Sequence, residues 1–186
     1  MTEIKKIRTP LDAATVESLR AGDQVSISGV LYTARDMAHK RLVDTLDRGE
    51  PLPFDMNGQV IYYVGPSPAK PGKVIGSAGP TTSYRMDAYA ERLMEVGMKG
   101  MIGKGMRDKK IVEAMKKHKC VYFAAIGGAA ALIARSIKAA EVIAYDDLGT
   151  EAVRRLEVED FRAFVINDIF GNDLYEMGKA RYKAVV

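Results

Sequence analysis

Residues 73–105 read KVIGSAGPTTSYRMDAYAERLMEVGMKGMIGKG, and the punctuation of this stretch decides the fold class. The run 73–78 (KVIGSA) predicts a strand, and Gly79-Pro80 turns the chain. Met86, Tyr89, Ala90 and Leu93 then recur at i, i+3, i+4 and i+7, one apolar stripe on a helix over about 83–96. A short strand over 99–102 follows and stops at Gly103-Lys104-Gly105. Strand, turn, helix, strand is the repeating unit of an α/β sheet with parallel neighbours.

The same alternation extends both ways. Downstream, the spacing predicts a basic helix over 107–117 that buries Ile111, Val112 and Met115. It also predicts a strand over 120–125, a helix over 129–136 after Gly127-Gly128, and a strand over 140–145. The tail reads as two more strands, 152–158 and 162–167, before a turn at Gly171-Asn172. Upstream, 11–20 is a short helix. Residues 24–33 alternate, with Val25 and Ile27 on one face and Ser26 and Ser28 on the other, as a half-buried strand does. Ala38, Leu42 and Leu46 mark a helix over 36–47 stopped by Gly49 and Pro51. QVIYYV at 59–64 is a strand, and Pro66, Pro68 and Pro71 make the next stretch irregular. One α/β domain over 1–186 is expected, with a mixed, partly parallel sheet, two β layers and flanking helices.

Composition narrows the function. The 186 residues include one cysteine, two histidines and no tryptophan. One cysteine excludes a disulfide framework, a Cys-rich zinc site and an iron–sulfur cluster held by this chain alone. Two histidines, His39 and His118, build no His-rich metal site without carboxylates. There is no apolar run near the roughly 20 residues a membrane helix needs, and the N-terminal MTEIKKIRTP lacks a signal-peptide core. A cytoplasmic location without membrane contact is expected. Seven basic and two acidic residues lie between Lys104 and Lys119, so this segment carries more than the whole net charge of +4. It reads either as a solvated helix face or as an anion-binding surface. A nucleic-acid stripe fits less well, because neither an aromatic RNP-like motif nor a recognition-helix pattern accompanies it.

Three strand ends carry the candidate chemistry. In Gly79-Pro80-Thr81-Thr82-Ser83-Tyr84-Arg85, Thr82 or Ser83 is a natural helix N-cap. A cap needs one hydroxyl, however, and three are present. Arg85 falls in the first turn, where the helix dipole disfavours a cation; a bound anion would account for it. Lys104, between two glycines, can approach a ligand without crowding, although Gly-Lys-Gly is also an ordinary turn. At Thr33-Ala34-Arg35-Asp36-Met37-Ala38-His39, Arg35, Asp36 and His39 can share a helix face. Asp36 is there either a first-turn carboxylate with His39 on the surface, or half of an acid/base pair beside a carboxylate-binding arginine. Cys120 opens an apolar strand and reads as buried and inert, and His118 as solvated. Arginines, a lysine and hydroxyls converging at strand ends suit a small polyanionic carboxylate. They do not supply the electron sink that proton removal beside a carboxylate needs.

Four stretches together carry a resemblance: GDQVSISGVLYTARDMAHKRL at 22–42, YYVGPSPAKPGKVIGSAGPTTSYRMD at 62–87, MIGKG at 101–105 and DFRAFVINDIFGND at 160–173. They resemble the β-type, or C-terminal, part of the class I iron–sulfur fumarases and L-tartrate dehydratases. The resemblance implies a swivelling β/β/α domain and a cluster-bearing α-type partner in a hetero-oligomer such as α2β2. The partner's three cysteines hold the 4Fe-4S cluster and this chain holds none, so one cysteine is no deficit. The implied reaction is reversible anti addition of water to a four-carbon dicarboxylate, fumarate to L-malate, as in the tricarboxylic acid cycle. Iron acts there as Lewis acid. By resemblance Arg35, Arg85 and Lys104, with Thr82, hold the substrate, and Thr81 acts at the reacting carbons with Asp36 as rival or partner in proton transfer. The alternatives are an L-tartrate dehydratase β subunit and, in another class, a non-catalytic dicarboxylate-binding or interaction module.

Overall fold

Along Val60–Val64 successive side chains enter two different cores. Val60, Tyr62 and Val64 join one cluster of buried residues, and Ile61 and Tyr63 join another. A strand whose side chains are buried on both faces belongs in the middle of a covered sheet, and the computed structural model, which describes residues 3–183, places it there.

The elements in chain order are β1 (Lys5–Arg8), α1 (Ala13–Ser18), β2 (Gln24–Thr33), α2 (Asp36–Asp47) and β3 (Val60–Tyr62). A 3₁₀ turn (Ser83–Met86) runs into α3 (Asp87–Glu95), followed by β4 (Gly100–Gly103), α4 (Lys109–His118), β5 (Val121–Ala124) and α5 (Ala130–Ala134). Then come β6 (Ile137–Ala144), a second 3₁₀ turn (Asp146–Glu151), β7 (Val153–Asn167) and α6 (Leu174–Tyr182). Strands β1 to β5 are parallel neighbours in sequence order. β7 is antiparallel and pairs along one edge with β2 and along the other with β6 and β5. The fold is thus mixed α/β with a partly parallel sheet of seven strands, as expected. The two β layers are one sheet that returns on itself through β7. Its inner face holds Ile27, Leu31, Tyr62, Phe123, Leu156 and Phe161. Its outer face packs Ile61, Tyr63, Met101 and Tyr122 against residues of α2, α3 and α4.

Several expectations change. Residues 73–78 are irregular rather than a strand. Prolines at 66, 68 and 71 remove ladder donors, and the loop satisfies itself instead: Ser67 N–H donates to Ser77 O (3.1 Å), and Ser77 N–H to Ser67 Oγ (2.8 Å). The two tail strands are one strand, β7, kinked at Asp160, whose φ is 53°. The kink sits opposite a register shift between Ile27 and Gly29, which is a β-bulge. Ser26 is buried, not solvent-facing, and donates to Asp160 Oδ1 (2.7 Å). The helix after Pro80 starts as a 3₁₀ turn, and α3 proper begins at Asp87. No helix among the described residues is long and apolar enough to cross a membrane.

Candidate functional site

The parallel strands β2 to β5 point the same way, so the loops after them meet at one rim, where open α/β sheets bind ligands. All the expected site residues lie there. β2 ends at Thr33, and Arg35 immediately precedes α2. Asp36 opens that helix, but the first free N–H groups are served from elsewhere: Met37 N–H donates to Glu151 Oε2 (3.0 Å). Glu151 also faces Arg35, with Oε1 3.5 Å from Nη2. Asp36 lies between two guanidiniums. Its Oδ1 is 2.8 Å from Arg85 Nε and its Oδ2 is 3.8 Å from Arg35 Nη2. Arg35 Nε and Asp36 Oδ2 are buried without a hydrogen-bond partner among the described residues.

His39 does not join this group as an acid or base. It is fully buried, against the expectation of a surface residue. Its Nδ1–H donates to Arg35 O (2.9 Å) and its ring meets Tyr63 edge-on with centroids 5.2 Å apart. Burial pushes its pKa down to about 4, so it is a neutral packing residue behind Arg35.

The hydroxyl segment is knitted onto the ends of β3 and β4. Thr81 N–H and its hydroxyl both donate to Tyr63 O (2.8 and 2.9 Å). Lys104 N–H donates to Thr81 O (3.1 Å), Ser83 N–H donates to Lys104 O (2.9 Å), and Thr82 forms a parallel bridge with Lys104. Neither expected cap forms: Thr82 makes no capping bond, and the Ser83 hydroxyl is turned inward to Tyr122 Oη (2.9 Å). That inward turn requires glycine at 103, where a Cβ would lie 2.0 Å from Ser83 Oγ. Arg85 stands in the 3₁₀ turn, and the anion beside it is the chain's own Asp36. Lys104 is exposed, forms no ion pair among the described residues, and runs past Gly127 in the loop after β5. The rim therefore offers two arginines braced by carboxylates and one free ammonium, with a threonine hydroxyl beside them. Fixed guanidiniums suit bidentate carboxylates, and a lysine adds a point charge.

Two contributors were not visible in the sequence. Glu151 is 115 positions from Asp36 in the chain, and only the fold brings it to the start of α2. Arg107 belongs to the basic run of 104–119, yet its side chain is wholly enclosed. Its Nε donates to Asp87 Oδ1 (2.6 Å), and its guanidinium lies near the Tyr63 and Tyr122 rings at 5.5 and 5.1 Å. Exposed lysines at 109, 110, 116 and 117 do form a solvated face. His118, expected to be solvated, is half-buried.

Among the described residues, none at the rim is fitted to hold a metal cluster. Cys120, the only thiol, is buried, and burial pushes its pKa up to about 12, far from the thiolate a cluster needs. Glu91, Glu95 and His118 bring donor atoms within 4.8 Å of one another on α3 and α4, away from the rim. Lys117 and Arg92 already balance the two carboxylates.

Residues 2–178 match the family model described as Fumarase C-terminus. The chain is 42% identical over 174 residues to fumarate hydratase 2 of Leishmania major, covering 92% of this chain and 30% of that protein. It is 43% identical over 155 residues to the aerobic class I fumarate hydratase of Salmonella typhimurium, covering 82% of this chain and 27% of the other. Against the putative L(+)-tartrate dehydratase subunit beta of Methanocaldococcus jannaschii it is 40% identical over 167 residues, covering 87% and 86%. The chain thus spans under a third of the fumarate hydratases it matches, and nearly the whole of the dehydratase subunit. With the strand-end arginines, hydroxyls and lysine on one rim, and with the match running through all of them, the chain belongs to the fumarase C-terminus family.

Proposed function

We propose that the chain is the β-type half of a two-component iron–sulfur hydro-lyase that reversibly hydrates fumarate to L-malate. The observation that carries this is the Arg35–Asp36–Arg85 triad beside the unpaired Lys104: three oriented cations, of which Lys104 has no carboxylate of its own. In this reading Arg35, Arg85 and Lys104 clamp the dicarboxylate, and the exposed edge of Thr82 lines its path. Thr81 and Asp36 are the two groups able to handle the proton at the reacting carbon. The Thr81 hydroxyl donates to Tyr63 O and is a poor base by itself. In this reading it takes the substrate proton only after a neighbouring base, Lys104 or a residue of the partner chain, has removed its own. Asp36, by contrast, is engaged by two guanidiniums. The reading therefore gives proton transfer to Thr81 and orientation of the clamp to Asp36.

The electron sink comes from a partner. A 4Fe-4S cluster held by an α-type chain would supply a Lewis acid for the substrate hydroxyl. Two observations support a partner. The fumarate hydratases matched by this chain contain more than twice as much polypeptide again. Also, Met37, Tyr84, Met106 and Ile126 are all exposed, each within two residues of a rim loop residue; large apolar side chains exposed next to a charged site fit an interaction surface. The second reading, a tartrate dehydratase β subunit, is favoured by the match over nearly the full length of one such relative.

Anaerobic reconstitution tests both. The chain alone should leave malate unchanged, and the chain with its cluster-bearing partner should interconvert malate and fumarate. Turnover of tartrate but not malate would select the second reading. Full activity of the isolated chain would overturn the two-component proposal, and dicarboxylate binding without turnover in the complex would leave a non-catalytic module.

A further inference from the structure

Two of the three clamp cations, Arg85 and Lys104, stand on separate segments. Arg85 is on the turn ahead of α3, and Lys104 is on the loop after β4. Like charges do not hold each other in place, and the backbone bonds that join Thr81 and Ser83 to Lys104 are reinforced from behind. Beneath them lies a charged pair whose arginine is wholly enclosed and whose carboxylate keeps only 13% exposure. Arg107 Nε donates to Asp87 Oδ1 at 2.6 Å, and Asp87 Oδ2 accepts Asp108 N–H at 2.8 Å. Asp87 follows the Arg85 turn directly and Arg107 lies three residues past Lys104. The pair therefore ties the two clamp segments at one end. A second tie runs Ser83 hydroxyl to Tyr122 Oη to Gly105 O, each step 2.9 Å. The Arg107 guanidinium lies 5.1 Å from the same Tyr122 ring, and its Nη1 is 3.4 Å from Tyr63 Oη and 3.2 Å from Met101 Sδ.

We propose that Asp87 and Arg107 are positioning residues that fix the separation of Arg85 and Lys104, and through Tyr63 the orientation of Thr81. The proposal rests on the hydro-lyase reading for what the clamp binds, but not for the tie itself. Two observations favour positioning over plain stability. A buried ion pair contributes little net stability compared with apolar residues of similar volume. Arg107 Nη2 is buried with no hydrogen-bond partner among the described residues, an arrangement a pair kept for stability alone would avoid. Lysine is no substitute, because a point charge cannot serve Asp87 and both tyrosine rings at once.

The experiment compares the parent chain with Arg107→Lys and the apolar double variant Asp87→Leu/Arg107→Met, each assembled with the cluster-bearing partner. The double variant guards against misfolding, since it removes both charges together. Expected are a melting temperature close to the parent for the double variant, KM for malate raised at least 10-fold in both variants, and kcat lowered less. Amide hydrogen exchange in the chain alone should show Ser83 and Lys104, whose N–H groups bond across the two segments, losing at least 10-fold in protection while β2 and β3 keep theirs. Parental KM together with parental exchange at Ser83 and Lys104 would overturn the proposal. If the parent complex hydrates neither fumarate nor tartrate, the hydro-lyase reading fails. The exchange result then still decides whether the pair holds the loop.

Discussion

Arg85 Nε and Asp36 Oδ1 are 2.8 Å apart, and this ion pair joins the turn ahead of α3 to the first residue of α2. It fixes one clamp arginine against the carboxylate that also faces the other. Asp36→Asn should therefore act as an orientation defect. We expect kcat/KM in the reconstituted complex to fall about 10- to 100-fold, mostly through KM, since misplacing a positioned group costs on that order. Thr81→Val should lower kcat itself, by the roughly 100- to 10,000-fold that a proton-transfer group contributes. A reversed split, with D36N lowering kcat and T81V raising KM, would exchange the two assignments.

Glu151 serves two masters, and two variants separate them. Glu151→Gln keeps an oxygen for Met37 N–H but removes the charge facing Arg35. It should leave the melting temperature near the parent's and raise KM only a few-fold, because a partly exposed pair 3.5 Å apart is worth less than about 1 kcal/mol. Glu151→Ala also removes the cap and should cost about 1 kcal/mol of stability, read as a shift in the urea midpoint. Equal midpoints for the two variants would show that the capping bond carries no weight.

What the sequence disclosed follows from which interactions are local. The helix over 36–47 is found where its spacing puts it, because Ala38 and Leu42 bury a local apolar stripe. The loops TARD, GPTTS and GKG announce themselves by residue type, and the parallel sheet brings them to one rim. What stayed hidden depends on distant partners. β1 is four residues of KKIR, recognisable only by its pairing with Val25–Ser28. Arg107 and Lys109 look alike in a basic run, yet Asp87, 20 positions earlier, draws the first inside. His39 reads as a surface residue on its helix, and Tyr63, just past the end of β3, covers it.

That burial gives His39 a measurable pH signature. Its folded pKa is about 4 against an ordinary 6.5, so between those values the unfolded chain holds a proton that the folded chain refuses. Its contribution is complete above pH 6.5 and is lost as pH falls towards 4, up to about 3 kcal/mol. His39→Leu removes this titration together with the bond to Arg35 O. The variant should melt below the parent at pH 7.5, and the gap should narrow steadily by pH 5. A constant gap across that range would mean that His39 charges as easily in the folded chain as in the unfolded one.

Gly65 and Gly103 both lack room for a side chain, but for different neighbours, and this predicts opposite phenotypes. A Cβ at Gly103 would strike Ser83 Oγ at 2.0 Å and Tyr63 Cδ2 at 3.0 Å, both inside the packed core. Gly103→Ala should therefore destabilise by about 1–3 kcal/mol, as overpacking does. A Cβ at Gly65 would meet Arg35 Nη1 at 2.7 Å and Cδ at 3.3 Å, with no closer obstacle than Thr150 O at 3.5 Å. A long side chain at the rim can swing away without disturbing the core. Gly65→Ala should keep the parental melting temperature and yet raise KM for the dicarboxylate roughly 10-fold, the cost of displacing one arm of the clamp. Parental KM in a folded G65A complex would show that Arg35 binds nothing at the position it occupies beside Gly65, and would leave the clamp to Arg85 and Lys104.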